Sequence, residues 1–122
     1  IMLNTYAYTE FDYVQSPEQK SGDIIRHPVV IIGGGPIGLT AALDCAQRGI
    51  PVVVMDDNNT VSIGSRAVCY AKRALEIWDR LDVATPMIDK GISWQVGKVF
   101  FKEKLAYEFN LLPEQGHKMP AM

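Results

Sequence analysis

The sequence lacks the features of membrane and secreted proteins. Its longest uninterrupted apolar runs, residues 28–32 and 50–55, are far shorter than the ~18 residues that a membrane-spanning helix requires. The first 15 residues contain no basic stretch followed by a long apolar core, so no signal peptide is predicted. We therefore expect a chain that is not integral to a membrane.

Cysteine and histidine are also scarce. The two cysteines, Cys45 and Cys69, are too few for a disulfide framework and lack the paired spacing of a zinc site. Both fall in segments predicted to be helical, where we expect small buried apolar side chains. The two histidines, His27 and His117, are isolated. The sequence thus predicts no metal site and a reducing, cytoplasmic setting.

An excess of positive charge is likewise missing. Twelve Lys and Arg against fourteen Asp and Glu give a formal charge of −2, which argues against nucleic acid or an anionic membrane surface as a partner. The hydrophobic fraction of 48% and the charged fraction of 21% are ordinary for a globular protein. A chain of 122 residues forms one domain at most, and a small or neutral ligand is the natural partner.

Residues 1–27 are predicted to form an arm, and residues 28–122 the N-terminal part of a domain. Aromatic side chains recur in the arm at Tyr6, Tyr8, Phe11 and Tyr13, before a polar stretch. Because such rings anchor extended segments well, we expect them to dock the arm onto the domain surface rather than to contact a ligand.

The segment from Pro28 to Met55 predicts a strand, a helix and a second strand. Pro28–Ile32 is an apolar run without alternation, typical of a parallel strand buried on both faces. A helix is expected from Pro36 to about Arg48, with Gly49 as its stop. Val52–Met55 then forms the second buried strand. This order predicts a right-handed βαβ unit with a parallel sheet.

The second half of the chain departs from a plain nucleotide-binding fold. A helix is predicted from about Arg66 to Leu81, with Ser65 as its N-cap. Its core-facing side chains would be Val68, Ala71, Leu75 and Trp78. The segment from Trp94 to Phe109 alternates loosely and predicts an antiparallel hairpin. The predicted fold is therefore α/β: a Rossmann-like βαβ unit, a further helix and a hairpin, in an incomplete domain.

The loop after the first strand carries a glycine motif. Gly33, Gly35 and Gly38 satisfy GxGxxG between a predicted strand and a helix. Gly33 would permit the tight turn, Gly35 would let the backbone approach a pyrophosphate, and Gly38 would let the helix pack against the strand. The first helical turn carries no charged side chain, so its N–H groups can bind an external anion. We count Pro36 and Ile37 in this turn among the cofactor-binding residues.

An acidic pair ends the second strand. Asp56 follows Gly33 by 23 positions, close to the about 20 expected for a residue that binds ribose hydroxyls. Its charge would repel a 2′-phosphate, which disfavours NADP in this loop. FAD and NAD both contain an ADP half, so the loop alone leaves the two cofactors open.

A longer set of motifs resembles a known family. The GGGPIG loop, the MDD strand end and the stretch GSRAVCYAKRALEIWDRL are similar to the class A flavoprotein aromatic hydroxylases, typified by p-hydroxybenzoate hydroxylase. The likeness is greatest to the phenol and 3-(3-hydroxyphenyl)propionate hydroxylase branch, over its N-terminal portion.

This resemblance implies a cofactor, a reaction and site residues. FAD would be held by the glycine loop and by Asp56 and Asp57, with Ser65, Arg66 and Ala67 along its path. NADH or NADPH would reduce the flavin, and O₂ would then be used to hydroxylate a small aromatic, phenolic substrate. The catalytic residues themselves are not identified by these motifs.

Two departures from the family pattern affect these expectations. Asp57 stands where many relatives have a basic residue, and the family's later Asp-Gly and Gly-Asp fingerprints are missing. We therefore expect that the rest of the enzyme is absent from this chain and that the isolated chain is inactive. Its partners would be that remainder or a second copy in a homodimer. The alternatives are an NAD-dependent dehydrogenase, whose second helix should lead into a third parallel strand, and a non-catalytic nucleotide-binding fragment.

Overall fold

The computed structural model describes residues 7–62, 67, 69–116 and 118–122 of the chain. The chain divides into two compact units, Ile1–Gly64 and Ser65–Met122. The first unit contains α1 (Pro17–Ser21), β1 (Val29–Ile32), α2 (Pro36–Gln47) and β2 (Val52–Met55). The second contains α3 (Lys72–Arg80), α4 (Ala84–Lys90), β3 (Val96–Phe101) and β4 (Lys104–Asn110).

The first unit has the predicted strand, helix and strand. β1 pairs with β2 in parallel, in a register that runs from Val29 opposite Val52 to Ile32 opposite Met55. The helix between them, α2, packs on both strands. It ends where predicted, because Gly49 adopts φ 70°, a left-handed conformation that glycine reaches without strain.

The strands are less buried than predicted. Val29 and Ile31 are half-buried, whereas Val30 is 50% exposed and Ile32 is 77% exposed. The expectation of burial on both faces was therefore wrong for this unit. The physical reason is that alternate side chains of a strand point to opposite faces, and within the described residues α2 is the helix that packs on this two-stranded sheet.

Backbone contacts join the arm to the segment that follows β2. Glu10 forms an isolated antiparallel bridge with Thr60, and the Phe11 N–H donates to the Asn59 carbonyl at 2.8 Å. Tyr8 is half-buried, as docking predicts, but Phe11 and Tyr13 are 63% and 75% exposed, so docking by these two rings was wrong. Tyr6 lies outside the described residues.

A short helix in the arm, α1, was not predicted. Ser16 caps it, since its hydroxyl accepts from the Gln19 N–H at 3.3 Å while the Gln19 side chain accepts from the Ser16 N–H at 3.1 Å. This reciprocal capping box, with Pro17 in the first turn, was readable in the sequence SPEQ.

The first helix of the second unit starts later than predicted. α3 begins at Lys72, because Ala71 is extended with ψ 151° and Tyr70 exchanges backbone hydrogen bonds with Met122. Backbone groups that pair with a segment so distant in sequence are not available to a helix. Cys69 and Ala71 are consequently exposed rather than buried in a helix. Cys45 is half-buried in α2. The predicted cap Ser65, together with Arg66 and Val68, lies outside the described residues.

The core of the second unit lies around α3. Leu75 is fully buried and Trp78 is 9% exposed, as predicted, and they cluster with Ala84 and Met119. Tyr70 packs edge-on against Trp78 with ring centroids 5.2 Å apart. Ala84 belongs to α4, a helix that the sequence pattern did not indicate.

The predicted hairpin is present in the second unit. β3 and β4 pair antiparallel from Val96 opposite Asn110 to Phe101 opposite Lys104, with an irregularity between Val99 and Phe100. Lys102 forms the turn at φ 52°. Among the described residues, no helix has the length and apolar character needed to cross a membrane.

Candidate functional site

The glycine loop turns sharply at the carboxyl end of β1. Gly33 has φ 104°, a conformation that L side chains rarely adopt, and its N–H donates to the Met55 carbonyl at 2.7 Å. The predicted role of Gly33 in a tight turn is confirmed. The same hydrogen bond ties the loop to the end of β2.

Gly38 allows α2 to approach the loop closely. A Cβ atom at this position would clash with the carbonyl oxygen of Gly33 and lie 3.1 Å from Cγ2 of Ile31. The backbone of the first helical turn therefore rests directly on the loop and the strand, as predicted for a glycine at this position.

The N-terminus of α2 is open to solvent. Gly35 is the N-cap, makes no side-chain capping bond, and has only open space where a Cβ would lie. Pro36 occupies the start of the helix, and the side chain of Ile37 is 88% exposed. No acidic residue lies in the first turn. The first N–H groups of a helix lack intrahelical acceptors, so this terminus can receive an anion.

Asp56 is held against the glycine loop. Its Oδ2 accepts from the Gly34 N–H at 2.5 Å, and its Oδ1 accepts from the Asn58 N–H at 2.8 Å and from Asn58 Nδ2 at 3.2 Å. The pKa of the Asp56 carboxyl lies below its ordinary value, most of all because of the hydrogen bond from the Gly34 N–H and secondly because of those from Asn58. Asp57 accepts from Asn58 Nδ2 at 2.9 Å.

Sequence reasoning missed Gly34 and Asn58 as parts of this site. The bond from the Asn58 N–H to the Asp56 side chain spans two residues, which is the pattern of an Asx-turn. The acidic and amide residues that end the strand, MDDNN, carry that signal. The bond from Gly34 joins positions 22 residues apart and requires the tertiary structure.

Two clefts meet at this acidic pair. The first, of about 360 Å³, is lined by Ile32, Gly33, Met55, Asp56 and Asp57. The second, of about 380 Å³, is lined by residues 11–14 of the arm and residues 56–59. Asp56 and Asp57 line both clefts, so the glycine loop and the arm flank a common acidic pair.

The remaining predicted site residues belong to the second unit. Ser65 and Arg66 lie outside the described residues, and Ala67 is exposed. Their grouping with the glycine loop stays a prediction. His117 also lies outside the part of the chain that is described. Within that part, no group of three or more His, Cys, Asp or Glu side chains could hold a metal ion.

The lowered pKa of Asp56 predicts a pH dependence. Since the folded-state pKa lies below the unfolded value of about 3.9, the stabilisation from this carboxylate is present above that unfolded value and is lost as the pH falls through the folded-state pKa. We expect the carboxyl carbon of Asp56, followed by NMR, to titrate below an ordinary Asp. The difference in unfolding free energy between the wild type and Asp56→Asn should shrink as the pH falls through the folded-state pKa of Asp56. A titration at or above the ordinary value would contradict the Gly34 contact.

The chain is similar to known flavin-dependent proteins. The FAD binding domain family matches residues 26–121. A flavin-dependent monooxygenase of Mycobacteroides abscessus is 30% identical over 93 residues, covering 76% of this chain and 20% of that protein. A para-nitrophenol 4-monooxygenase of a Pseudomonas species is 44% identical over 52 residues, covering 43% of this chain and 13% of that protein.

A third relative is also a monooxygenase by name. A pentachlorophenol 4-monooxygenase of Sphingobium chlorophenolicum is 28% identical over 76 residues, which cover 62% of this chain and 14% of that protein. The chain thus spans a fifth or less of the length of these relatives. No solved structure matches it significantly. Because the family match extends over most of the sequence and includes the glycine loop and the acidic strand end, the chain belongs to the FAD binding domain family.

Proposed function

We propose that this chain supplies the ADP-binding part of the FAD site of a monooxygenase that hydroxylates a phenolic ring. In this proposal Gly33, Gly35 and Gly38 form a Rossmann-like phosphate loop, with Pro36 and Ile37 in the first turn of α2. Asp56 receives the adenosine ribose, and Asp57 lies beside it. Residues 28–122 then form the N-terminal part of the FAD-binding domain, and residues 1–27 its arm.

One observation carries the proposal. Gly33 and Asp56 line a single cleft, and the Gly34 N–H and the Asp56 carboxylate are in contact at 2.5 Å. The pairing of an anion-binding helix terminus with an adjacent acid suits a ligand that has both phosphates and ribose hydroxyls.

The residues present fit the ADP half of FAD. The open space at Gly35 leaves room for a pyrophosphate to approach the backbone, and the start of α2 lacks a side-chain cap that would compete for its N–H groups. Asp56 is exposed, so ribose hydroxyls can donate to it. Its carboxyl, whose pKa lies below the ordinary value, is an ionised acceptor at neutral pH.

These positions indicate which part of the function FAD supplies and which part the chain supplies. When bound, FAD supplies the chemistry of accepting electrons from NADH or NADPH and of using O₂ on the ring. The chain's own residues bind and orient. The start of α2 fixes the phosphates, Asp56 fixes the ribose, and the contact between Gly34 and Asp56 holds the two parts of the site in register.

Two facts favour this proposal over the NAD-dependent dehydrogenase. The dehydrogenase requires a third parallel strand after the second helix, whereas α3 is followed by α4 and the antiparallel pair of β3 and β4. One relative is a flavin-dependent monooxygenase by name, and two others are named as monooxygenases of para-nitrophenol and pentachlorophenol. A phenolic substrate is therefore the class to test first.

The experiment uses the protein expressed from the complete reading frame that contains this chain. We expect it to purify yellow with oxidised-flavin absorbance, and to consume NADH or NADPH and O₂ when a phenol such as para-nitrophenol is added. A colourless protein that binds NAD and needs no oxygen would contradict the proposal. A protein that binds FAD without oxygen consumption on any phenol would support the non-catalytic alternative instead.

Asp56→Ala tests the binding site within that protein. Loss of hydrogen bonds to a charged acceptor should raise the Kd for FAD roughly 10- to 100-fold. Asp44→Ala, on the same unit but outside both clefts, is the matched control and should retain FAD normally. Equal FAD retention in the two variants would remove Asp56 from the site.

The broader predictions of setting and partners belong to the same proposal. The low cysteine content supports a reducing, cytoplasmic location. The short span of this chain relative to its relatives supports a partner that is the remainder of the enzyme, and a homodimer is the alternative. Gel filtration of the yellow protein distinguishes a monomer from a dimer.

A further inference from the structure

The side chain of Asn58 joins two carboxylates. Its Nδ2 donates to Oδ1 of Asp56 at 3.2 Å and to Oδ1 of Asp57 at 2.9 Å. A side-chain amide carries two N–H donors, so one asparagine can hold two acceptors at once. The backbone N–H of Asn58 donates to the same Asp56 oxygen at 2.8 Å. Asn58 thus donates to the acidic pair from both its backbone and its side chain.

The local turn does not account for the side-chain contacts. An Asx-turn needs the carboxylate of Asp56 and the backbone N–H two residues later, and every residue except proline supplies that N–H. Asn58 is exposed, so packing does not account for its side chain either. The two bonds from Nδ2 therefore act on the carboxylates rather than on the fold of the turn.

Asp56 is held at both of its carboxylate oxygens. The Gly34 N–H donates to Oδ2, whereas Asn58 donates to Oδ1. Rotation of the carboxylate about its side-chain bonds would break one of these two sets of contacts. The orientation of Asp56 beside the glycine loop is therefore set before a ligand arrives, which lowers the entropy cost of binding.

A neutral donor suits this place better than a cation. Two adjacent carboxylates repel each other, and a lysine or arginine would steady them by neutralising their charge. No Lys or Arg is among the described residues that line the two clefts at the acidic pair. The amide of Asn58 orients the carboxylates and leaves their negative charge available to hydroxyl donors.

The backbone that follows Asn58 is held by the arm. The Asn59 carbonyl accepts from the Phe11 N–H at 2.8 Å, and Thr60 forms the antiparallel bridge with Glu10. Asn58 therefore lies between two anchored points, the end of β2 and this bridge.

We propose that Asn58 is a positioning residue, which orients Asp56 for the ribose and does not itself contact the ligand. This inference rests on the proposed function, because Asp56 is the residue proposed to receive the ribose. Without the Asn58 side chain, Asp56 stays charged but rotates more freely. Binding of FAD must then restrict that motion, which weakens the affinity.

The test is a double-mutant cycle on FAD affinity in the protein from the complete reading frame, stripped of flavin. We expect Asn58→Ala to raise the Kd for FAD about 3- to 10-fold, since ordering one polar side chain on binding has a cost of that size. In the Asp56→Ala background, the same substitution should change the Kd by less than about twofold, because the residue on which Asn58 acts is missing.

A second measurement does not depend on the ligand. In Asn58→Ala, the pKa of the Asp56 carboxyl, followed by NMR, should lie closer to the ordinary value than in the wild type. It should stay below that value, because the Gly34 N–H and the backbone N–H of residue 58 still donate to the carboxylate.

Asn58→Asp keeps the shape of asparagine but replaces the donor by a third carboxylate. We expect this variant to raise the Kd for FAD more than Asn58→Ala does, because it removes the same hydrogen bonds and adds a like charge. It tests the positioning role even if the alanine variant folds poorly.

Ser21→Ala is the matched control. The Ser21 hydroxyl donates to Oδ2 of Asp23, two residues away, at 2.6 Å, and both residues are exposed and lie outside the two clefts. Loss of this comparable contact should leave both the Kd for FAD and the titration of Asp56 unchanged.

The outcomes separate the positioning role from the proposed function. An unchanged Kd in Asn58→Ala, beside a raised Kd in Asp56→Ala, would overturn the positioning role and leave the proposed function intact. An equal loss in both backgrounds would also overturn it, since Asn58 would then act independently of Asp56. A wild-type protein that binds no FAD would contradict the proposed function itself.

Discussion

Gly38→Ala is expected to abolish FAD retention and to destabilise the unit formed by residues 1–64. A Cβ at this position would clash with the carbonyl oxygen of Gly33 and press on Cγ2 of Ile31 at 3.1 Å. The obstructing atom is backbone rather than the end of a flexible side chain. Either α2 moves away from the loop or the loop changes shape, and both changes displace the N–H groups that we propose to bind phosphate.

Two opposing energies decide the size of this effect. Alanine is favoured over glycine inside a helix by about 1 kcal/mol. Overpacking against a rigid backbone costs about 3 kcal/mol, which exceeds that gain. We expect a net loss of roughly 2 kcal/mol in unfolding free energy, together with colourless purified protein. Thermal unfolding and the flavin absorbance measure the two consequences.

Gly35→Ala separates binding from folding at the same loop. Gly35 has φ −76° and open space around a Cβ, so alanine fits without strain. This variant should unfold like the wild type but bind FAD more weakly, because a methyl group would enter the space proposed for the pyrophosphate. If Gly38→Ala retained both its flavin and its stability, the close approach of α2 to the loop would be refuted.

Leu75→Ala is expected to have the largest effect on stability in residues 65–122. Leu75 is fully buried in the cluster with Trp78, Ala84 and Met119. Truncating a fully buried leucine removes its transfer free energy and leaves a cavity, at a combined cost of about 2–5 kcal/mol. The measurement is the unfolding free energy from denaturant titration of the protein from the complete reading frame.

Leu75→Met and Ile92→Ala serve as controls for that truncation. Methionine nearly conserves the volume of leucine and should cost less than about 1.5 kcal/mol. Ile92 is 84% exposed in the same unit, so its truncation should change stability by no more than about 0.5 kcal/mol. Equal losses in Leu75→Ala and Ile92→Ala would show that the cluster around α3 is not the core of this unit.

Gly38→Ala and Leu75→Ala probe different contributions to the same function. Gly38 acts on the geometry of the site, since it sets the distance between α2 and the loop that carries Gly33. Leu75 acts on the packing of a unit whose link to the ligand is still a prediction. A loss of flavin from Gly38→Ala without a comparable loss from Leu75→Ala would locate the ADP half on residues 1–64.

The sequence predicted the strand, helix and strand of the first unit because their signals are local. The apolar runs at residues 29–32 and 52–55, the proline at the start of α2 and the glycine after its end all act within a few residues of where they stand. The glycine motif and the acid at Asp56 were also predictable, because they directly follow these two strands in the sequence. The antiparallel pair from Val96 to Asn110 was predictable for the same reason, since its strands are joined by a two-residue turn.

Long-range contacts account for two features that the sequence did not reveal. α3 starts at Lys72 rather than near Arg66 because Tyr70 pairs with Met122, which lies at the other end of the unit in sequence. The second cleft exists because Glu10 pairs with Thr60, which brings Phe11 and Tyr13 beside the acidic strand end. No periodicity or local propensity encodes either contact.

The sequence by itself therefore determined the glycine loop, its helix and the acid that follows, and with them a nucleotide as the ligand. Only the tertiary structure decided that Asp56 contacts Gly34 and that residues 11–14 of the arm lie beside the acidic strand end. The physical reason is that the backbone geometry of the glycine loop is fixed by neighbouring residues, whereas these two contacts join segments that meet only when the chain has folded.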